Sequence, residues 1–558
     1  MEYLVFGLTL VGLILIVFIR EAYLGKKREK EFVRSLYEDY GKEPKRELTS
    51  ERLKKVGSYY QRHLEPGQVD DITWNDLSMD EVFKQMNHTL SATGEEYLYY
   101  TLRNTVKTRQ ELNSLERLIV YFSEHEEERV KVQLLMNRLG FVGKYSLYDY
   151  LDQLDYLGSR SNRKHLVADV LFLPLIGLLF VDVPMALLGM AVLIVYNITT
   201  YFGEKKLIDP YIVSFSYIMR LLNTAEAFCK LNISVCEAQT KTLTEQVNAL
   251  KDVRKGAFWV MWQTTGNPSD VLGVIMDYLR MIFHTDIIVF NRMLACVKEH
   301  IAEIDVVIGQ LGYVETAIAI GAYRRSMKNG YCVPKLVEKG SLEIQAAYHP
   351  LIKEPVKNSI RVERGVLLTG SNASGKSTFL RTVALNAIMA QTIHTCAADT
   401  YSGMLYRIYS SMSLKDDLES GESYYMVEIK ALKRILDTAT SYEGSVLCFV
   451  DEVLRGTNTV ERIAASTQIL KSLAGSNLIC FAATHDIEMT RLLEQDYDNY
   501  HFEEDVRDGD ILFDYRLLPG RATGRNAIKL LEIMGYDANI VQEASRLAGK
   551  FMETGQWV

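Results

Sequence analysis

Residues 367–378 read LLTGSNASGKST, and within them Gly370, Gly375, Lys376 and Ser377 fit the spacing GxxxxGK[ST]. Glycines at those positions let backbone N–H groups close around a phosphate at the start of a helix. In that chemistry Lys376 neutralises the β- and γ-phosphates of a nucleoside triphosphate, and the Ser377 hydroxyl ligates Mg2+. The expected ATP-binding loop is therefore Gly370, Ser371, Asn372, Ala373, Ser374, Gly375, Lys376, Ser377 and Thr378. A strand-like run, VLLT, leads into it and a helical pattern, TFLRTVALNAIMA, leads out, which is the setting the motif requires. The bland alternative is a glycine turn that holds no ligand.

Asp451 and Glu452 end a second apolar run, VLCFVDE. Buried strands seldom end in two acids without a reason, because an uncompensated carboxylate is costly to desolvate. Asp451 is expected to hold Mg2+ through water, and Glu452 to orient and deprotonate the attacking water. His485 closes the next run, FAATH, from where it can reach a γ-phosphate, although a histidine after a strand is often only a cap. Lys376, Glu452 and His485 are thus the candidate catalytic residues, Ser377 and Asp451 the candidate magnesium ligands, and ATP and Mg2+ the implied cofactors.

These groups need a scaffold. From about residue 340, strand-length runs (GVLLTG, SVLCFVDE, LICFAATHD) alternate with helical patterns, which predicts a doubly wound α/β P-loop ATPase domain of the ABC type over 339–558. The chain before it is mainly helical, with a region at 21–165 and a long-helix lever region at 204–338. Ile287, Phe290, Leu294, Val297, Ile301, Ile304, Ile308 and Leu311 alternate steps of three and four, which places an apolar seam along one long helix. Tyr211, Phe215, Ile218, Leu222, Ala225 and Cys229 do the same.

Two stretches read as membrane. Tyr3 to Ile19 carries no charge and is followed by Arg20, Lys26, Lys27, Arg28 and Lys30. That order is the reverse of a cleaved signal peptide, so 1–20 is expected to be an anchor with its C-terminal side in the cytoplasm. A second apolar region, 166–203, is divided at Asp182 and Pro184 and flanked by Arg160, Arg163 and Lys164 on one side and Lys205 and Lys206 on the other. It predicts a transmembrane helical hairpin with both ends inside; a buried helix pair is the alternative, which Asp169 and Asn197 keep open. The resulting expectation is a multi-pass protein of the cell membrane with its ATPase domain in the cytoplasm. The net charge of −8 argues against a broadly basic nucleic-acid binder. Seven cysteines without a CxxC pair point to reduced thiols rather than a disulfide framework or zinc site.

The pieces GSNASGKST, DDLESGESYYMVEIKALK, DEVLRGTNTVE and ATHDIEMTRL closely resemble, in order and approximate spacing, the MutS family of DNA mismatch-repair ATPases. AAYHPLI before the loop and FEEDVRDGDILFDYRLLPGRATGRNAIKLLEIMG after it extend the likeness over roughly 340–550, and TLSATGEEYLYYTLRNTV at 89–106 more weakly resembles the start of the family's helical lever. The resemblance implies a homodimer with two composite sites, in which Ser423 approaches the γ-phosphate bound by the other subunit and Arg455–Asn458 couple the sites. It also implies DNA as a partner. No GDFYE-like mismatch wedge precedes the lever, and the DNA clamp is not recognisable where the hairpin stands, which argues against mismatch recognition by this chain alone. The expected function is a membrane-anchored MutS-like ATPase whose lever acts on DNA or on a protein partner. The alternatives are an ABC-type membrane transport ATPase, which would need an LSGGQ signature, and a non-hydrolytic nucleotide-gated membrane tether, against which Glu452 counts.

Overall fold

The computed structural model describes residues 20, 23–142, 146–255, 271–371, 374–412, 424–455, 457–475, 477–507, 510–522 and 527–554. The expected anchor at 1–20 lies almost wholly outside the described residues. The chain divides into two units, one of Met1–His63, Asn87–Tyr100 and Arg117–Tyr323, the other of Leu64–Met86, Thr101–Glu116 and Arg324–Val558.

The first unit is helical. Its stretch TLSATGEEY opens the helix α1, Ala92–Arg103. The first N–H groups of a helix lack intrahelical partners: here Ala92 N donates to Gly140 O at 2.9 Å, Thr93 N to the Tyr217 hydroxyl at 3.3 Å and Gly94 N to the Ser91 hydroxyl at 3.0 Å, and a distant carboxylate holds the two residues just before the helix. Buried Glu315 accepts from Leu90 N at 2.5 Å, from Ser91 N at 3.1 Å and from the Ser91 hydroxyl. Gly94 makes room for it, since a Cβ there would sit 2.1 Å from Glu315 Oε2. The following acids are also paired: Glu95 accepts from Arg46 at 2.8 Å and Arg52 at 2.6 Å, and Glu96 from Arg52 at 3.2 Å.

Residues 163–231 fold back on themselves. Two short helices, α2 (Arg163–Val170) and α3 (Phe172–Leu178), lead to a turn, and α4 runs for 49 residues over Val183–Leu231. Asp182 caps α4 by accepting from Met185 N at 3.1 Å, and Pro184 sits in the first turn, where its missing N–H costs nothing. The helix does not stop near 203: Glu204 to Leu207 are helix formers, and it runs on through Pro210.

The outward side of this hairpin is apolar: Phe180 is 89% exposed and Val181 84%, with Leu173, Leu188, Val192 and Val195 exposed as well. Its polar groups turn inward. Buried Asn197 donates to Ile282 O at 2.7 Å, His165 and His284 meet through their Nδ1 atoms at 2.9 Å, and Lys205 pairs with buried Asp286 at 2.8 Å.

The seam expected as one long helix is two: α6, Thr285–Glu299, and α7, Ile301–Ser326, which follow α5, Val271–Phe283. The break falls at His300, whose φ of −124° leaves the helical region while its N–H still bonds Val297 O at 3.2 Å. The seam residues Ile287, Phe290, Leu294, Val297, Ile304, Ile308 and Leu311 are nonetheless buried. By length and composition both α4 and α7 could cross a membrane, but they differ in surroundings. Only 17% of the most apolar window of α4 is buried, against 78% for α7, which is a core helix.

The second unit holds two mixed sheets with helices around them. Its six-stranded sheet runs in the order β10-β9-β4-β8-β7-β6. The strands are β4 (Gly365–Thr369), β6 (Arg407–Ser411), β7 (Val446–Asp451), β8 (Leu478–Ala483), β9 (Tyr497–Arg507) and β10 (Asp510–Pro519). All neighbours are parallel except β9 and β10, which form an antiparallel hairpin. Strands β4, β7 and β8 are covered on both faces, which is why they read as unbroken apolar runs. A four-stranded sheet, β1-β5-β2-β3, joins β1 (Lys335–Leu336), β2 (Leu342–Ala347), β3 (Asn358–Val362) and β5 (Thr400–Gly403). Helices α8 (Lys376–Thr392), α9 (Tyr424–Ser441) and α10 (Thr459–Ser472) complete the part that carries the candidate site. The fold is α/β and compatible with an ATPase domain.

Candidate nucleotide-binding site

The strand order brings the candidate residues together. Because β8 lies between β4 and β7, His485 beyond the end of β8 falls between the glycine loop after β4 and the two acids at the end of β7. In parallel strands with crossover helices, the carboxyl ends are where a ligand crevice opens. Lys376, Ser377, Thr378, Asp451, Glu452 and His485 line one cavity of about 560 Å³ there.

Two glycines of the loop are required by its geometry. Gly370 has φ +146°, and a Cβ there would meet Phe502 O at 2.9 Å; Gly375 has φ +106° and packs under Tyr515. Lys376 opens α8, and its Nζ donates to Gly370 O at 2.8 Å and Ser371 O at 2.7 Å. Burial lowers its pKa below the ordinary lysine value, against the pull of Asp451, Glu452 and Glu504. Ser371 is held by Glu504. Ser374 lines the cavity, and its buried hydroxyl has no hydrogen-bond partner among the described residues. Asn372 and Ala373 lie outside the described residues, as does Ser423.

Asp451 and Ser377 form the second part. The Ser377 hydroxyl bonds the Asp451 carboxyl, whose Oδ1 is buried without a partner among the described residues. Burial pushes the Asp451 pKa up. A carboxylate oxygen left orphaned beside a serine hydroxyl fits Mg2+, which keeps waters and substrate oxygens and needs one or two protein ligands.

Glu452 is positioned by unusual backbone. It has φ +58° and Leu454 φ +57°, conformations that non-glycine residues adopt at a cost of about 1–3 kcal/mol. Glu452 N donates to Ala483 O at 2.9 Å, and Leu454 N to Glu428 of α9 at 2.5 Å. The Glu452 carboxylate meets His485 through one oxygen and Arg455 through the other. Burial pushes its pKa up, but His485, Arg455 and Lys376 outweigh that and hold it below the ordinary carboxylate value. His485 is followed by Asp486, which Arg462 fixes by donating to it twice, at 3.0 and 2.7 Å. Asn458 caps α10 by accepting from Val460 N at 3.0 Å.

Sequence reasoning missed the far wall of the cavity. A bulge in β10 between Phe513 and Leu517 turns Tyr515 (φ +55°) over the loop, and Asn358 of β3 pins it by donating to Tyr515 O at 2.9 Å and accepting from Leu517 N at 2.8 Å. Ile352, Pro355, Val356 and Phe502 add apolar surface beside His349, whose pKa burial lowers to about 4. The sequence carried no signal of this, because FDYRL alternates apolar and polar residues as an unbroken strand would.

Fold and cavity together are compatible with an α/β ATPase domain. A family model for MutS domain V matches residues 366–552. Over 227 residues, 40% of this chain, the sequence is 32% identical to the DNA mismatch repair protein MutS of Thermus thermophilus and of Thermus aquaticus, and 31% identical to that of Thermus caldophilus. The match covers 27% of each of those proteins, so the chain spans about a quarter of their length. Over this C-terminal part the chain is similar to MutS proteins and matches their domain V.

Proposed function

We propose that residues 339–558 bind and hydrolyse ATP with Mg2+, as a homodimer with composite sites, and that 1–20 and 166–203 anchor the protein in the cell membrane with the ATPase domain in the cytoplasm. The observation that carries the catalytic reading is the convergence of Lys376, Ser377, Asp451, Glu452 and His485 on one cavity.

The backbone of Gly370–Ser374 would cradle the phosphates, and Lys376 would exchange its two loop carbonyls for β- and γ-phosphate oxygens. Ser377 and Asp451 would hold Mg2+, which when bound offsets the charge developing on the phosphates. Glu452 is ionised at neutral pH and would accept the proton of the attacking water once one of its oxygens leaves Arg455 or His485. His485, on its other side, would contact the departing phosphate. Tyr515 and the apolar wall from Ile352 to Val356 offer a nucleobase a surface to lie against.

The membrane reading is supported by the exposed apolar side of the hairpin and the inward turn of its polar groups. The helices of 204–338 would act as levers on DNA or a protein partner, with weak or no preference for mismatches arising from this chain alone. ATP turnover by the detergent-purified chain, with and without Mg2+ and DNA, tests the proposal. Magnesium-dependent phosphate release is expected, and its absence would refute the enzyme reading.

A further inference from the structure

Cys332 and Cys396 face each other across an isolated antiparallel bridge outside the two sheets. Cys332 N donates to Cys396 O at 3.0 Å and Cys396 N to Cys332 O at 2.9 Å. Such reciprocal pairing sets the two Cα atoms about 5.5 Å apart, inside the roughly 4.4–6.8 Å that a disulfide spans. The Cys396 thiol donates to Asn386 O at 3.6 Å, and the two thiols lie near enough to influence each other's titration. Cys332 is half-buried and reachable, whereas Cys396 is buried. The neighbouring Cys396 thiol holds the Cys332 thiol below its usual pKa, and burial pushes Cys396 well above it, which separates an attacking sulfur from a resolving one.

The flanks hold the pair in register. Tyr348 donates its hydroxyl to Gly330 O at 2.5 Å and its N–H to Ala397 O at 2.9 Å, so one residue ties both segments. Arg324 fixes the second segment further, through His394 O at 2.8 Å and the Thr395 hydroxyl at 2.8 Å. By contrast Cys448 and Cys480, which also share a register, lie fully buried in the middle of the six-stranded sheet.

We propose that Cys332 and Cys396 form a reversible thiol–disulfide exchange site whose oxidant is a small-molecule disulfide of the glutathione class. The Cys332 thiolate attacks one sulfur of the oxidant, breaking its S–S bond and releasing one thiol. Cys396 then attacks Cys332 Sγ, its proton passing to the leaving thiolate, and a second thiol departs. Two protein thiols are oxidised and one small disulfide is reduced to two thiols. The new bond would join the segment between α7 and β1 to the far end of α8, the helix that Lys376 opens.

The test incubates the full detergent-solubilised chain with oxidised glutathione, followed by non-reducing digestion and mass spectrometry. A peptide pair linked through Cys332 and Cys396, lighter by two hydrogens and released by dithiothreitol, is expected. Cys396→Ser should keep one glutathione on Cys332, and Cys332→Ser should leave Cys396 unmodified. A glutathione that persists on Cys332 in the wild-type chain would overturn the proposal. So would reaction at Cys229 or Cys296 with none at Cys332.

Discussion

His485 Nε2 meets the Glu452 carboxylate across the carboxyl ends of β8 and β7, and it is the main influence opposing the effect of burial on that acid. The folded pKa of Glu452 is depressed, so its carboxylate form is present above the ordinary glutamate value and is lost only as pH falls through a lower one. Turnover should therefore be flat on the acid side of neutrality. His485→Ala should move the acid limb upward, because burial is then opposed only by Arg455 and Lys376. A kcat profile against pH for both proteins reads this directly, and an unmoved limb would remove His485 from the account.

Glu116 and Arg324 should matter for stability rather than turnover. Burial alone would push the Glu116 carboxyl up, but hydrogen bonds from Arg324 (2.8 and 2.6 Å) and His394 (3.0 Å) bring it down to about 2. A depressed acid stabilises the fold above its unfolded value, and that contribution is lost as pH falls through the folded one. Glu116→Gln leaves a buried guanidinium short of its counter-charge, which costs about 3 kcal/mol. Urea unfolding at pH 7 should show this loss, and the gap to wild type should narrow in acid. A constant gap would contradict the ion-pair reading.

Gly94→Ala should be far more costly than a glycine-to-alanine change in a helix usually is. The new Cβ would displace Glu315 from the N–H groups of Leu90 and Ser91, leaving buried donors unpaired at about 1–3 kcal/mol. Ordinarily the same change stabilises a helix by roughly 1 kcal/mol. A variant as stable as wild type in chemical denaturation would show that Glu315 moves aside freely.

Topology can be read by labelling. Asp182→Cys stands in the turn of the hairpin and Lys26→Cys follows the first apolar segment. In intact cells an impermeant maleimide should reach position 182 and not 26. The opposite pattern, or release of the protein by carbonate, would leave the anchor reading without support.

The core of the second unit was legible because local rules and the global fold agree there. VLLT, VLCFVD and LICFAA are buried on both faces, so composition alone marks them as interior strands, and glycine spacing marks the loop between β4 and α8. Other parts depended on distant partners. Nothing near Gly94 announces Glu315, more than two hundred residues away. The break at His300 is silent in the pattern because the apolar seam continues through it on both sides. Tyr515 was hidden because a bulge, not its own neighbours in sequence, aims it at the cavity. Glu428 sat inside a quoted stretch, but its role as the acceptor for Leu454 N becomes visible only once α9 packs beside β7.

The central claim is that Glu452 is the base of an ATP hydrolase built on Lys376, Ser377 and Asp451. The most direct measurement compares Mg2+-dependent ATP turnover and ATP binding in wild type, Glu452→Gln and Lys376→Ala. Glu452→Gln should keep binding and lose turnover by about 100-fold or more, while Lys376→Ala should lose binding. Equal turnover in wild type and Glu452→Gln would contradict the account.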